Sequence, residues 1–435
     1  MSAIEESSSN TQNMSTTETI TTPTTKHHQI VIVGGGAAGI TVAARLLKSN
    51  RNLDIVIIEP SEKHYYQPGW TLVGGGVAPM SDFVRDEKNV IPQGAKWIQT
   101  SVTKLDPDRN IVVTENGDQI EYDYLVVCPG IQIDWHLIKG LTEALGKNGV
   151  TSNYAQDSVP YTWETIKNFQ GGNAIFTHPA TPIKCGGAPQ KVMYMADDTF
   201  KQNGVGVNTN VMFCTAVASI FPVPEYAAAL DQIIARRGIA PKFQHNLKEI
   251  QADTKSAIFD VTTAAGVEEV SIHYDMIHVT PPMSPPDFIK HSPLAGAGGW
   301  VDVHKETLQH TRYPNVFSLG DASALPTSKT AAAARKQAPV LVQNLLSLIQ
   351  SQSLAANYDG YTCCPLITGY NTTIMAEFAY GGKLAPSFPL DPTKERYSMY
   401  LAKVHVLPWL YWNRMLKGES FEADIFKPIN QLVHR

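Results

Sequence analysis

Two of the chain's five cysteines stand where sulfur could be made reactive. Cys185 precedes Gly186-Gly187-Ala188-Pro189, an expected helix start whose dipole favours a thiolate over a thiol. Cys364 lies in Tyr361-Thr362-Cys363-Cys364-Pro365, a stretch that reads as a loop. Each alone could be buried filler; together they could be a redox pair on opposite sides of a bound cofactor. Cys128 and Cys214 end hydrophobic strands and read as core. Cys363 adjoins Cys364, and neighbouring cysteines rarely pair with each other, so it reads as a spectator. Five cysteines in 435 residues are too few, and odd in number, for a disulfide scaffold. A reducing compartment follows as the default, and no metal-ligand set is read.

A second site is written in glycine. Gly34-x-Gly36-x-x-Gly39 follows Ile30-Val31-Ile32-Val33 and opens an amphipathic stretch from Ile40 to Leu47. Glycines there allow a tight turn and let backbone approach a pyrophosphate at a helix N-terminus. Glu59 ends the next strand-like run, Asp54-Ile55-Val56-Ile57-Ile58, where a carboxylate can hold ribose hydroxyls. FAD and NAD share this fingerprint. Asn315-Val316-Phe317-Ser318-Leu319-Gly320-Asp321 separates them: in two-domain flavoproteins such a returning strand brings its Asp to the ribityl chain. FAD is therefore read at this site. A nicotinamide would need a second glycine fingerprint midway along the chain. The strand Asn173 to Phe176 is instead followed by a segment carrying Pro179, Pro182 and Pro189 around Cys185. The middle region reads as a dinucleotide fold that has lost its dinucleotide and gained a cysteine.

The elements that must hold these residues alternate. Strand, glycine turn, helix and strand open the chain, and Tyr124 to Cys128, Asn173 to Phe176, Asn210 to Cys214 and Asn315 to Leu319 add further strands. Thr330 to Gln350 reads as a long helix. Such alternation predicts an α/β protein with two Rossmann-like, doubly wound domains of the flavoprotein type, plus a C-terminal membrane-associating region. The expected division is a disordered tail over 1–28, a first part of the FAD-binding domain over 29–150, and a second Rossmann-like domain without an NAD fingerprint over 151–275. The FAD-binding domain returns over 276–350, and a redox-cysteine and membrane or quinone region occupies 351–435. Hydrophobic residues make up 43% of the chain, enough for a large core. A net charge of −5 with no basic stripe argues against nucleic acid as partner. No apolar run is long enough to span a bilayer. The acidic, Ser- and Thr-rich start resembles neither a secretory nor a mitochondrial leader. Tyr397 to Leu416 carries Trp409, Tyr411 and Trp412 among Met, Leu and basic residues, which suits either a membrane-interface helix or a core helix.

Longer stretches resemble one family. His64-Tyr65-Tyr66-Gln67-Pro68-Gly69-Trp70-Thr71-Leu72, Pro182-Ile183-Lys184-Cys185-Gly186-Gly187-Ala188-Pro189-Gln190-Lys191, His278-Val279-Thr280-Pro281-Pro282-Met283 and Leu325-Pro326-Thr327-Ser328-Lys329-Thr330 are similar to sulfide:quinone oxidoreductases of the mitochondrial type. The resemblance runs from Gln29 to the C-terminus. It implies that Cys185 and Cys364 are the redox pair and that FAD is contacted near Ala38, Glu59, Gln67, Val102, Asp321 and Lys329. It also implies hydrogen sulfide and a quinone as substrates, a small thiol or sulfite as sulfur acceptor, and monotopic attachment to the lipid surface of an energy-transducing membrane. The leader-free start favours a bacterial cytoplasmic face over the mitochondrial inner membrane. Lys329 is expected to place a positive charge near the flavin. The competing readings are a type II NADH:quinone oxidoreductase and a non-catalytic flavin or persulfide sensor.

Overall fold

The computed structural model describes residues 25–419. Its first sheet runs Ala95–Ile98, Ile55–Ile58, Thr25–Val33, Gln119–Val127, Ile111–Thr114, Val102–Asp106, with Val316–Ser318 also paired to Gln119–Val127. Ile30, Val31 and Ile32 are fully buried because this part of the sheet is parallel and covered on both faces. Gln119–Val127 serves two partners on its far side. Its start pairs antiparallel with Ile111–Thr114, and its end pairs parallel with Val316–Ser318. The return strand is thereby set beside the first one's neighbour, and the C-terminal ends of the parallel strands open on one crevice. The first strand begins at Thr25 rather than Gln29: its register with Gln119–Val127 starts at Thr25, and His28 is held 2.8 Å from Asp54. The rest of the expected tail lies outside the described residues.

The second sheet is wholly parallel, in the order Val150–Thr151, Met276–His278, Gly172–His178, Thr209–Thr215, Ala240–Lys242. It takes strands from either side of the 151–275 span expected for it. A three-stranded antiparallel sheet, His245–Gln251, Ser256–Thr263 and Gly266–His273, adjoins it. The molecule is thus an α/β protein of two doubly wound units.

Cys364 lies in a strand, not in a loop. Thr362–Gly369 pairs antiparallel with Thr372–Phe378, and Pro365 is tolerated because its strand is an edge that pairs with no other strand among the described residues. Side chains alternate across this ribbon. Cys364 and Leu366 enter the second unit's core, whereas Cys363 and Ile367 enter the first. The hairpin packs on the helix Ala188–Gln202 and is clamped there by Arg237. Arg237 reaches Asp197 at 2.7 Å, Asp198 at 2.6 Å and the carbonyl of Thr368 at 2.6 Å.

Tyr397–Leu401, Ala402–Val406, Leu407–Leu410 and Tyr411–Met415 form one helical run in which two turns widen to π geometry. Pro408 has no N–H to give the ladder, which favours the change of register around it. One face of the run belongs to the core and the other is exposed. Met399, Tyr400, Lys403, Tyr411 and Met415 are buried on the body, while Tyr397, Leu401, Val406 and Trp409 are exposed. A three-residue spacing would put Trp409 and Trp412 on one face of a regular helix, but here they part. Trp412 turns inward against the His64 ring and Arg85. No helix among the described residues is long and apolar enough to cross a membrane.

Candidate active site

The three fingerprint glycines do three different jobs. Gly34 has φ +105°, and a Cβ there would sit 2.5 Å from the Cys128 carbonyl. A Cβ on Gly39 would collide with the Gly34 carbonyl, so that glycine lets the helix Ala37–Ser49 pack on its strand. A Cβ on Gly36 would meet nothing within 4 Å. Gly36 thus leaves open the space before a helix whose first turn carries no acidic residue and no side-chain cap. Free N–H groups, an unfilled approach and a positive dipole end fit a dinucleotide pyrophosphate. Glu59 stands beside this cradle and accepts from Gly35 N–H at 2.8 Å and Ser61 N–H at 2.9 Å. Burial raises its pKa against those two bonds.

The return strand closes the other side. Gly320, with φ +70°, abuts Ala38, its would-be Cβ lying 3.4 Å from the Ala38 Cβ. Asp321 follows and is brought to the helix N-terminus. Burial raises its pKa, opposed by Lys329 and Lys184. Lys329 donates to the carbonyls of Asp321 at 2.7 Å and Ser323 at 3.1 Å, and sits 3.7 Å over the Trp300 ring. Burial lowers it to about 8, against the pull of Asp321. Lys184 donates to Gln67 Oε1 at 2.8 Å, and burial lowers it to about 8 as well. Val102 lies just beyond the end of Ala95–Ile98, half-buried against the first core. Ala38, Glu59, Asp321 and the glycines therefore stand around the cradle, with Lys184 and Lys329 near Asp321 and Gln67 bonded to Lys184, whereas Val102 is placed by its pairing with Thr114.

The two candidate sulfurs meet where the second unit faces this crevice. Cys185 Sγ and Cys364 Sγ are 3.2 Å apart and not joined by a disulfide. Cys185 takes φ +57°, a left-handed turn that a side chain rarely adopts, and its N–H donates to the Lys329 carbonyl at 2.7 Å. The pair is asymmetric. The hydrogen bond from Cys364 holds Cys185 well below the ordinary thiol range despite burial, and Lys191 adds to the effect. The same bond, together with burial, pushes Cys364 up. With Lys191 beside it, Cys185 is the sulfur of the two better placed to carry a negative charge. Lys191 Nζ lies 3.1 Å from Cys185 Sγ; burial would lower it, but the sulfurs hold it charged. Burial pushes Cys128, Cys214 and Cys363 up as well, with Cys214 reaching about 12, and leaves all three as unreactive thiols.

Two lysines of the site went unassigned in the sequence. Lys191 stands in the Pro-Gln-Lys stretch after Cys185, where position alone suggested only a helix face. Lys403 read as a basic flank of an interface helix. It is instead 1% exposed, donates to the Pro68 carbonyl at 2.7 Å, and is lowered to about 7 by burial and by Lys191. A lysine among Tyr and Met at an inward helical position was the available signal.

Two doubly wound units, a glycine cradle on the first and a cysteine pair at their junction define a dinucleotide-fold disulfide oxidoreductase. The pyridine nucleotide-disulphide oxidoreductase family model matches residues 28–159. Mitochondrial sulfide:quinone oxidoreductases are 47% identical in Mus musculus, over 87% of this chain and 84% of that one, and 52% identical in Dictyostelium discoideum, over 90% and 86%. The solved sulfide:quinone oxidoreductase of Aquifex aeolicus shares the fold, with a TM-score of 0.76 at 19% identity over 93% of this chain and 95% of that one. The chain belongs to the sulfide:quinone oxidoreductase family. As such it is an oxidoreductase built to hold a flavin.

Proposed function

We propose that the chain oxidises hydrogen sulfide to sulfane sulfur on the Cys185–Cys364 pair and delivers two electrons through FAD to a membrane quinone. The observation that carries this reading is the pair itself, 3.2 Å apart with Lys191 3.1 Å from the Cys185 sulfur. With the pair oxidised, hydrosulfide attacks one sulfur. A new S–S bond forms, the bond between the cysteines breaks, and a persulfide and a thiolate result. Cys185 is where the released negative charge is held best, because Lys191 and the Cys364 position both favour its anion. A small thiol or sulfite then takes the sulfane sulfur, leaving two thiols, and the pair closes again by giving up two electrons and two protons. FAD, when bound, would supply the two-electron acceptor between this dithiol and the quinone. Gly34, Gly36, Gly39, Ala38, Glu59 and Val102 would hold its adenosine and pyrophosphate end; Gln67, Asp321 and Lys329 would hold the rest.

The exposed Leu401, Val406 and Trp409 give a lipid-facing edge for monotopic attachment. The relatives at 47% and 52% identity are named as mitochondrial, so we place the protein on the mitochondrial inner membrane; a bacterial cytoplasmic face gains no support from them. The test is sulfide-dependent quinone reduction by purified protein. Cys185→Ser and Cys364→Ser should abolish it with flavin retained. Wild-type turnover by Cys185→Ser would overturn the reading.

A further inference from the structure

One buried polar chain plays no part in the sulfur chemistry. Glu87 is 1% exposed, in the turn Glu87–Asn89. Its Oε2 lies 3.1 Å from His64 Nδ1, and His64 Nε2 lies 2.6 Å from the Tyr411 hydroxyl. His64 and Tyr411 are buried too. Burial keeps the Tyr411 phenol protonated, so it can donate to His64 Nε2, which leaves an Nδ1–H to donate to Glu87.

The second oxygen of Glu87 is shut off from solvent and has no hydrogen-bond partner among the described residues. It faces the dinucleotide cradle: a Cβ on Gly35 would lie 2.7 Å from Glu87 Oε1 and 2.7 Å from the Glu59 Cβ. Gly35 is flanked by two carboxylates. Glu59 is satisfied by backbone N–H groups, whereas Glu87 keeps one oxygen free. A buried, unpaired carboxylate oxygen is costly unless a donor arrives. The adenosine half of FAD, with ribose hydroxyls and an adenine amino group, brings such donors to this place.

The other end of the chain sits on the C-terminal helical run. Tyr411 stacks on Tyr66 at 4.6 Å between ring centroids, and Lys403, two turns earlier, bonds the Pro68 carbonyl. The run is therefore held to residues 64–68 at two points, one by Tyr411 on His64 and one by Lys403.

We propose that Glu87 is a further cofactor-holding residue, accepting a hydrogen bond from the adenosine half of FAD, and that His64 and Tyr411 couple this contact to docking of the helix that carries Lys403. The proposal rests on the FAD reading above. Coupling of this kind is reciprocal: what loosens the helix at Tyr411 must weaken cofactor binding, and what weakens the cofactor contact must loosen the helix.

The experiment compares flavin-loaded full-length parent, Glu87→Gln, Tyr411→Phe and Met415→Ala proteins. FAD release after dilution and hydrogen exchange of residues 397–415 are read on each. Glu87→Gln should release FAD about tenfold to a hundredfold faster, as loss of a charged hydrogen bond implies, and should speed exchange in 397–415. Tyr411→Phe should speed FAD release several-fold although Tyr411 lies on the far side of His64 from the cradle. Met415→Ala, which trims a core contact of the same helix but keeps the Tyr411 hydroxyl on His64, should speed FAD release clearly less than Tyr411→Phe. Parent-like FAD release by both Glu87→Gln and Tyr411→Phe overturns the proposal, as does Met415→Ala releasing FAD as fast as Tyr411→Phe. A parent that purifies without FAD overturns the cofactor reading instead. Should Glu87→Gln fail to fold, the Tyr411→Phe and Met415→Ala comparison decides alone.

Discussion

At the scale of single residues the site turns on unequal sulfurs. Cys185 sits in a left-handed turn between a helix start and the Lys329 carbonyl, with Lys191 against its sulfur. A free thiol titrates near 8.5, and Cys185 lies well below that. Its anion therefore contributes stability above the free-thiol value, and the contribution is lost as pH falls through the depressed one. Alkylation of Cys185 in the dithiol protein should stay on a plateau from about pH 8.5 downward and fall only below that depressed value. Lys191→Met should move the fall upward by about one to two pH units, the equivalent of one charge-assisted hydrogen bond. Mass-spectrometric alkylation rates across pH check this; an unmoved midpoint would show that Lys191 does not hold the thiolate. Cys363 faces the other core, against Met375, and Cys363→Ser should leave most activity.

Among the elements, the C-terminal helical run carries the most testable division. Removing it would strip Met399, Tyr400, Tyr411, Met415 and Leu416 from the first core. At about 1.5–3 kcal/mol for each large apolar side chain, that loss rivals the 5–15 kcal/mol by which a domain is stable. A truncated chain is thus expected to unfold, and it says nothing about lipid. The outward face can be altered without that cost. Leu401→Gln, Val406→Gln and Trp409→Gln combined should leave flavin content and the melting temperature near the parent's. The same protein should lose co-flotation with liposomes and slow with long-chain quinone more than with a soluble analogue. Undiminished flotation would assign the lipid contact to another surface.

For the whole molecule, the two units have diverged in what their crevices can take. The first keeps a glycine cradle with open space at Gly36. The second ends Gly172–His178 in a segment with Pro179 and Pro182 and spends its crevice on Cys185. NADH should therefore fail to bleach the flavin under anoxia while sulfide bleaches it; rapid bleaching by NADH would favour a nicotinamide-linked enzyme. Glu59→Ala removes a carboxylate beside the cradle and should weaken FAD binding about tenfold to a hundredfold. Flavin content equal to the parent's after purification would place the ribose elsewhere.

The sequence by itself determined whatever is local. Ile30 to Val33 read as a strand, Gly34 and Gly39 mark a turn that backbone sterics reserve for glycine with Gly36 left open between them, and Gly320-Asp321 mark a strand end. Those patterns sufficed for two doubly wound units and for the cradle residues, because each is read within one turn or one strand. The long stretches around Cys185 and Cys364 pointed to the family in the same way. Only the tertiary structure decided what depends on distant chain segments. It put Cys364 in a hairpin strand rather than a loop, because Arg237 and the helix Ala188–Gln202 pin that ribbon. It turned Lys403 and Trp412 inward, because widened turns around Pro408 shift the helix's facing away from the simple three- and four-residue rule. It joined Glu87, His64 and Tyr411, which no spacing connects. Periodicity tells which residues share a face of one element; which face meets another element is set by packing between segments hundreds of residues apart.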